Sequence, residues 1–432
     1  MPVLANSSTR KKFLHAYLSK LESSGIRAVV LHSYEDLPGP DDHDIDIATD
    51  SGNLERALEL QVDVAAEHGW QLVQSLRHEI TASYRVLASI DNPLQSLKLD
   101  LCSHYMALGR QIITAEELLE GSGHHHAIPI PQARNEFAYL LAKAFVKAKP
   151  ATAVLPRLAE LHQIDAPGCD QVVSRFTDRA KFSELNSAAV TEDNYFSRRR
   201  EKFYAKHPVA SHAKEFFRKL RRFRRPTGAM LVVLGPDGAG KSTVINALES
   251  GLAPFFRRYR YIHFRPGFGD AASGGSTGKP NTDPHGQKPR SLPSSWLKVG
   301  YYTADYISSY ARTLRTQLAA STLIIFDRYY QDLLVDPKRF RLCGCELLLK
   351  LLAPLIPKPM LYLVLDAEPE AIHARKPELP LEELTRQREI FRQFAQSEHR
   401  AVIIPTGGDE TETLTFALKT VVRKIAERET ER

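Results

Sequence analysis

Nine consecutive residues, Gly235-Pro236-Asp237-Gly238-Ala239-Gly240-Lys241-Ser242-Thr243, carry the most specific chemistry in the chain. The spacing Gly-x4-Gly-Lys-Ser suits a loop whose backbone N–H groups curl around a phosphate. In such a loop Lys241 reaches the outer phosphates and the Ser242 hydroxyl ligates Mg²⁺, so ATP with Mg²⁺ is the expected occupant. Asp327-Arg328-Tyr329 closes an apolar run beginning at Ser321. A carboxylate at the end of a strand next to the loop-bearing strand is placed to hold Mg²⁺ directly or through water. An adjacent arginine can neutralise an acceptor or a phosphoryl group in transfer. A third group is Asp44 and Asp46, two residues apart on one face of a strand, where they can share a divalent ion. Asp100, in a later strand, can complete a two-metal site of the kind that transfers nucleotidyl groups. His124, His125 and His126 are consecutive, so a regular element cannot turn all three to one ion, and an exposed loop is expected.

These groups need elements to hold them. Residues 8–132 alternate helical and strand-like patterns: a helix over 11–24, strands at Ala28–His32, Asp44–Thr49, Trp70–Leu76, Ser83–Ile90 and Ser96–Ser103, and an amphipathic helix over 53–68 ending before Gly69. That mixture predicts an α+β domain. Residues 133–227 read as a helical region ending in a basic linker. Residues 228–432 open on the strand at Met230–Gly235, run into the helical stretch Ser242–Leu252, and continue to alternate strands with helices. Such alternation predicts an α/β domain, with a parallel sheet covered by helices.

At 432 residues, 43% hydrophobic and 25% charged, the chain has the composition of a soluble protein with two or three cored domains. No run approaches the roughly 18 apolar residues of a membrane-spanning helix, and the N-terminus lacks the apolar stretch of a secretory signal. Four cysteines do not make a disulfide framework, which fits reduced thiols in a cytoplasm. The net charge of +7 is concentrated. Residues 197–227 hold twelve Lys or Arg against two Glu, a local net of +10, so the remainder is slightly acidic. Within 214–225, Phe216, Leu220 and Phe223 share one helical face with Phe217 beside them. This segment suits packing between domains, the surface of an anionic membrane, or nucleic acid, though no nucleic-acid module accompanies it.

The block from 228 onward resembles the thymidylate kinase family of nucleoside monophosphate kinases. The matching features are the Gly-x-Asp-x-x-Gly-Lys-Ser-Thr loop, Arg265-Pro266-Gly267, Asp327-Arg328-Tyr329, and Leu365-Asp366 followed by Pro369-Glu370. The resemblance implies a P-loop fold with helices on both faces of the sheet and Asp237 turned toward the acceptor. It also implies Arg265 near an acceptor phosphate. Because Gly238 stands where some relatives carry arginine, the basic work shifts to a lid, with Arg375, Lys376, Arg386 and Arg388 as candidates. For Arg386 and Arg388 a solvated helix face is an equal reading. Two departures argue for an acceptor other than thymidylate. Asp332, Asp336 and Arg339 replace the stretch that reads thymine in the family, and a Gly/Ser/Pro-rich loop fills 268–295.

The front block resembles the nucleotidyltransferase superfamily through Asp44, Asp46 and Asp100. His32-Ser33 replaces its Gly-Ser turn, so the domain either binds a different donor or keeps the fold without full catalysis. The fusion resembles bacterial proteins associated with surface-polysaccharide gene sets. It implies a cytoplasmic Mg²⁺/ATP kinase acting on a small-molecule, sugar, glycan or nucleotide-like acceptor, with peripheral contact at the inner membrane face and a homodimer both open. The alternatives are a true thymidylate kinase and a nucleotide-binding membrane scaffold with little catalysis.

Overall fold

A computed structural model describes residues 2–35, 37, 43–192, 194–207, 212–267 and 288–431. Most of the Gly/Ser/Pro-rich loop, 268–287, lies outside the described residues, as do Asp41 and Asp42. The chain divides into two compact units, Met1–Leu220 and Arg221–Arg432.

The first unit is built on a mixed five-stranded sheet. Its strands are β1 (Ala28–Val30), β2 (Asp44–Thr49), β3 (Trp70–Glu79), β4 (Ala82–Ser89) and β5 (Ser96–Cys102), in the order β1-β2-β5-β4-β3. Only β2 and β5 run parallel, and their register sets Asp46 beside Asp100 and Asp44 beside Lys98. Helices α1 (Pro2–Ser23) and α2 (Leu54–Glu67) bury Phe13, Tyr17, Leu21, Leu58 and Val64 with the apolar residues of this sheet. Two short hairpins follow, β6 (Tyr105–Ala107) with β7 (Arg110–Ile113) and β8 (Gly123–His125) with β9 (Ile128–Ile130), and helix α3 (Ala115–Leu119) lies between them. A capping box of Thr114 and Glu117 starts α3. The three histidines fall at the β8–β9 turn, where His124 and His126 are exposed, so the expected loop is the tip of a hairpin.

Helix α4 (Ala133–Lys147) is buried on nearly every face, which is why its apolar residues show no clean stripe. Around it pack α5 (Leu155–Ile164), α6 (Ala166–Phe176), α7 (Phe182–Thr191) and α8 (Tyr195–Ala205). Phe137, Phe145, Phe176, Tyr195 and Phe203 join Val29, Leu31 and Ala48 in one core, so this helical stretch shares its interior with the strands before it. Because α4 is enclosed, its polar residues Glu136, Tyr139 and Lys143 are buried too and must find partners inside. Helix α9 (His212–Arg224) is strongly basic and leaves Phe216 and Phe217 exposed at 63% and 65%.

The second unit holds a five-stranded, wholly parallel sheet. Its strands are β10 (Ala229–Leu234), β11 (Arg258–His263), β12 (Thr322–Asp327), β13 (Leu361–Asp366) and β14 (Ala401–Pro405), in the order β11-β12-β10-β13-β14. Strands β10 and β12 are buried at every residue, as continuous apolar runs in a helix-covered parallel sheet should be. Helices α10 (Lys241–Leu252), α11 (Leu292–Ser309), α12 (Arg315–Ala319), α13 (Gln331–Val335), α14 (Glu346–Leu352), α15 (Pro369–Arg375), α16 (Leu381–Ser397) and α17 (Glu410–Thr430) surround it. The neighbours of β10 are β12 on one side and β13 on the other. The chain leaves in opposite directions there, which opens a crevice at the carboxyl ends of the strands. Among the described residues no helix is long and apolar enough to cross a membrane. All four cysteines are free, and only Cys343 is exposed.

Candidate phosphate-binding and acidic sites

The crevice of the second unit is shaped first by glycines. Gly235 leaves β10 with φ +146°, and a Cβ there would come within 3.1 Å of the Leu365 carbonyl oxygen. Gly238 and Gly240 have φ +90° and +92°, a region that costs other residues roughly 1–2 kcal/mol. The turn thereby brings Lys241 to the first position of α10, with Ser242 and Thr243 exposed in its first turn. Lys241 is buried, and its Nζ donates to the carbonyls of Gly235 at 2.9 Å and Pro236 at 2.8 Å and to Asp237 Oδ1 at 3.2 Å. Burial and the neighbouring Arg328 guanidinium pull this ammonium below the usual lysine value.

Asp237 gathers the cations. Arg328 donates to its Oδ1, Arg339 to its Oδ2 at 2.6 Å, and Lys376 lies 3.9 Å from Oδ2. Burial alone would push this carboxyl up, but Lys241, Arg328 and Arg339 together hold it well below the usual carboxylate range. Arg328 follows β12 with φ +74°, and its amide donates to the Val233 carbonyl at 3.1 Å, which ties the Asp-Arg-Tyr turn to the strand that feeds the loop. Asp332, buried one helical turn further on, is 3.4 Å from the Arg328 guanidinium. Asp327 ends β12 level with Val233 of β10. Its Oδ2 accepts from Tyr261 at 3.0 Å and lies 3.3 Å from His263 Nδ1. Its Oδ1 is buried without a hydrogen-bond partner, a costly state for a carboxylate unless a cation or water joins it.

The remaining residues expected at this site are dispersed. Arg265 is fixed by the buried carboxylate of Asp305 at 2.9 Å and packs against the rings of Tyr301 and Tyr302, 5.2 and 5.3 Å from their centroids. Arg375 is exposed at the end of α15, and Lys376 pairs with Glu378 at 3.2 Å. Arg386 and Arg388 differ from the lid expectation. Arg388 grips Asp366 at 2.6 Å and Glu368 at 2.7 Å, and Arg386 grips Glu383 and the Val335 carbonyl. Carboxylates of the same unit claim both guanidinium groups. Tyr329 and Tyr330 belong to the core, with hydroxyls donating to the carbonyls of Pro357 and Leu349.

Two participants lay hidden in the sequence. Arg339 stood out only as a departure from a family pattern, and nothing in the local spacing joined it to Asp237, 102 positions away. Asp305 could have been suspected, because a carboxylate inside the mostly apolar α11 requires a partner.

In the first unit the three acidic residues are brought together unequally. Asp46 is buried and receives Tyr139 at 2.7 Å, His32 Nε2 at 2.8 Å and the Lys143 ammonium. Against the upward push of burial, Lys143 and His32 hold its carboxyl well below the usual range. Asp100, next to it in register, is pushed up to about 8 by burial and by the charge of Asp46. Asp44 accepts from the Tyr84 hydroxyl at 3.3 Å. Among the described residues no group of three or more His, Cys, Asp or Glu side chains is arranged to hold a metal. Lys143 lies instead against Asp46, and its place in the apolar run of α4 was the signal that sequence reading passed over.

No protein-family model matches the chain, and no curated protein matches it. Among solved structures it is similar to thymidylate kinase from Candida albicans, at 19% identity over 45% of this chain and 91% of that one, with a TM-score of 0.34. It is likewise similar to thymidylate kinase from Ehrlichia chaffeensis, at 15% identity over 45% of this chain and 98% of that one, with a TM-score of 0.31.

Proposed function

We propose that the second unit is an ATP- and Mg²⁺-dependent phosphotransferase acting on a sugar, glycan or nucleotide-like acceptor. The observation that carries this reading is the clasp of Lys241, Arg328 and Arg339 on Asp237 at the mouth of a glycine-shaped loop. The residues present fit the expected group. Three glycines hold the loop at positive φ, Ser242 lies exposed at the start of α10, and Asp327 keeps one buried oxygen without a partner. Ser242 and Asp327 would hold Mg²⁺, and bound Mg²⁺-ATP supplies the phosphoryl group.

The chain's own part is electrostatic. Lys241 exchanges two carbonyls and a carboxylate for phosphate oxygens, and the N-terminus of α10 adds its partial positive charge. Arg328 and Arg339 are held where negative charge accumulates, so little reorganisation is needed when it appears. Asp237, held so far down, is a weak proton acceptor. Its role is to position the three cations. Arg265, immobilised by Asp305, Tyr301 and Tyr302, is the group assigned to an anionic part of the acceptor.

The experiment is an acceptor screen with γ-labelled ATP over nucleoside monophosphates, free sugars and lipid-linked glycans. One class is expected to take up label, and Lys241→Ala should reduce transfer by about 10³-fold or more. Transfer unchanged in Lys241→Ala sinks the phosphotransferase assignment. Rapid conversion of thymidylate to its diphosphate would leave the activity standing and overturn the acceptor.

A further inference from the structure

A cavity of about 270 Å³ opens in the first unit, lined by His32, Ser33, Glu35, Lys143, Lys149 and Arg157 among others. Its charges are unevenly matched. Arg157 is held by three carboxylates, Glu35 at 3.0 Å, Glu136 at 2.8 Å and Glu160 at 2.9 Å, and by the Tyr34 hydroxyl at 2.7 Å. Around this guanidinium, acceptors exceed donors. Lys143 is matched by Asp46. Lys149 is a lining residue of the cavity, and Asp46, already held by Lys143, is the carboxylate whose charge acts on it. Lys149 is only partly exposed, and burial together with Lys143 and Lys147 pulls its ammonium below the usual lysine value. An ammonium crowded by two others is unfavourable until an anion joins it.

Ser33 supplies an independent sign. It is exposed, its Oγ is 2.7 Å from His32 Nδ1, and its φ is +55°. A non-glycine residue in that region costs roughly 1–2 kcal/mol. Such outliers persist where the surroundings hold them, and they gather at ligand-binding sites.

We infer that this cavity binds a small hydroxylated phosphomonoester without a divalent metal, Lys149 and Ser33 taking the phosphate and the Glu35–Arg157 pair taking hydroxyls. Size argues for a compact ligand, since 270 Å³ falls just below the roughly 300–1,000 Å³ of sites for drug-sized molecules. The acidic residues argue against a metal-borne triphosphate, because the Lys143 ammonium already lies on Asp46 and no three-residue metal group is formed among the described residues. A fixed lysine then does locally what a divalent ion does in a metal-dependent site.

The test uses the full chain carrying Lys241→Ala, so that the phosphate loop of the second unit does not contribute, with glucose 1-phosphate as probe in EDTA under titration calorimetry. Binding is expected in EDTA, with an affinity that added Mg²⁺ changes by no more than about twofold. Lys149→Met should weaken it by about tenfold or more, the loss of one charge-assisted hydrogen bond. It should melt no lower than its parent, because the charge removed is one that Lys143 and Lys147 crowd. Ser33→Ala should weaken binding by a few-fold, and it provides the answer if Lys149→Met does not fold. Inorganic phosphate should bind at least threefold more weakly than the probe, and glucose not detectably. Absence of binding in EDTA, a requirement for Mg²⁺, equal affinity for inorganic phosphate, or undiminished binding in both variants each overturns the assignment.

Discussion

Each unit contains a carboxylate clasped by a lysine and further donors, yet the two clasps have opposite characters. Asp46 receives Lys143, His32 and Tyr139, and Asp237 receives Lys241, Arg328 and Arg339. Asp237 is met by three cations, with Lys376 at 3.9 Å, and the backbone bearing it is a loop whose Gly235, Gly238 and Gly240 stand at positive φ. Around Asp46 the acids are in excess, because Asp100 stands beside it, and the chain relieves the excess by holding a proton on Asp100. The same residue types thus surround one carboxylate with several cations on a glycine loop and hold the other in an internal pair. What differs is the number of cations that meet the carboxylate and the backbone that carries it.

The largest expected effect tests the fixed pair. Asp46→Ala leaves Lys143 buried without its counter-charge, which costs about 3–5 kcal/mol. Urea unfolding of the full chain should show the transition of the first unit moving to lower denaturant while that of the second stays in place. A loss below about 1 kcal/mol would erase the distinction between the two clasps. Asp100→Asn should act in the other direction and depend on pH. In the folded chain this carboxyl titrates near 8, against about 4 when unfolded. Between those values the folded state holds a proton that the unfolded state has lost, so the group lowers stability progressively as pH rises from 4 toward 8. Replacing it by a neutral amide should change little near pH 4 and stabilise increasingly as pH rises toward 8. Melting curves across that range check the slope. A gain that is larger in acid reverses the sign and refutes a proton held on Asp100.

How much of this was written locally in the chain follows from the same contrast. The glycine loop between β10 and α10 was legible because its residues are contiguous: three glycines with required conformations, a lysine at a helix start and an apolar strand before it lie within a dozen residues. The strands bearing Asp44, Asp46 and Asp100 were legible from alternation, and their register brings Asp46 and Asp100 side by side. The partners of the two carboxylates are distant in sequence. Lys143 reaches Asp46 across 97 positions and Arg339 reaches Asp237 across 102, so periodicity holds no trace of either contact. Arg386 and Arg388 show the converse. Their spacing on a helix is that of a basic face, but Glu383 one turn away and Asp366 at the end of β13 neutralise them.

The smallest effect in stability is the most informative about the open clasp. In Asp237→Asn, Lys241 keeps its two carbonyl acceptors and Arg328 keeps Asp332 while Arg339 loses its partner, so the destabilisation should be on the order of 2 kcal/mol, less than that of Asp46→Ala. What the variant loses is the anion that stands in for phosphate among three cations. Inorganic tripolyphosphate should therefore raise the melting transition of the second unit more in Asp237→Asn than in the parent chain, because the ligand now supplies charge that the protein no longer provides. The same ligand should raise the first-unit transition of Asp46→Ala less, since Lys143 is buried and stands inside α4, whose backbone amides are committed to the helix. Equal rescue of the two variants would show that the clasps are equally open. Rescue of Asp237→Asn alone ties the difference to the backbone: a loop held at positive φ by Gly235, Gly238 and Gly240 can turn its amides to a new anion, whereas a backbone paired in a helix or strand cannot.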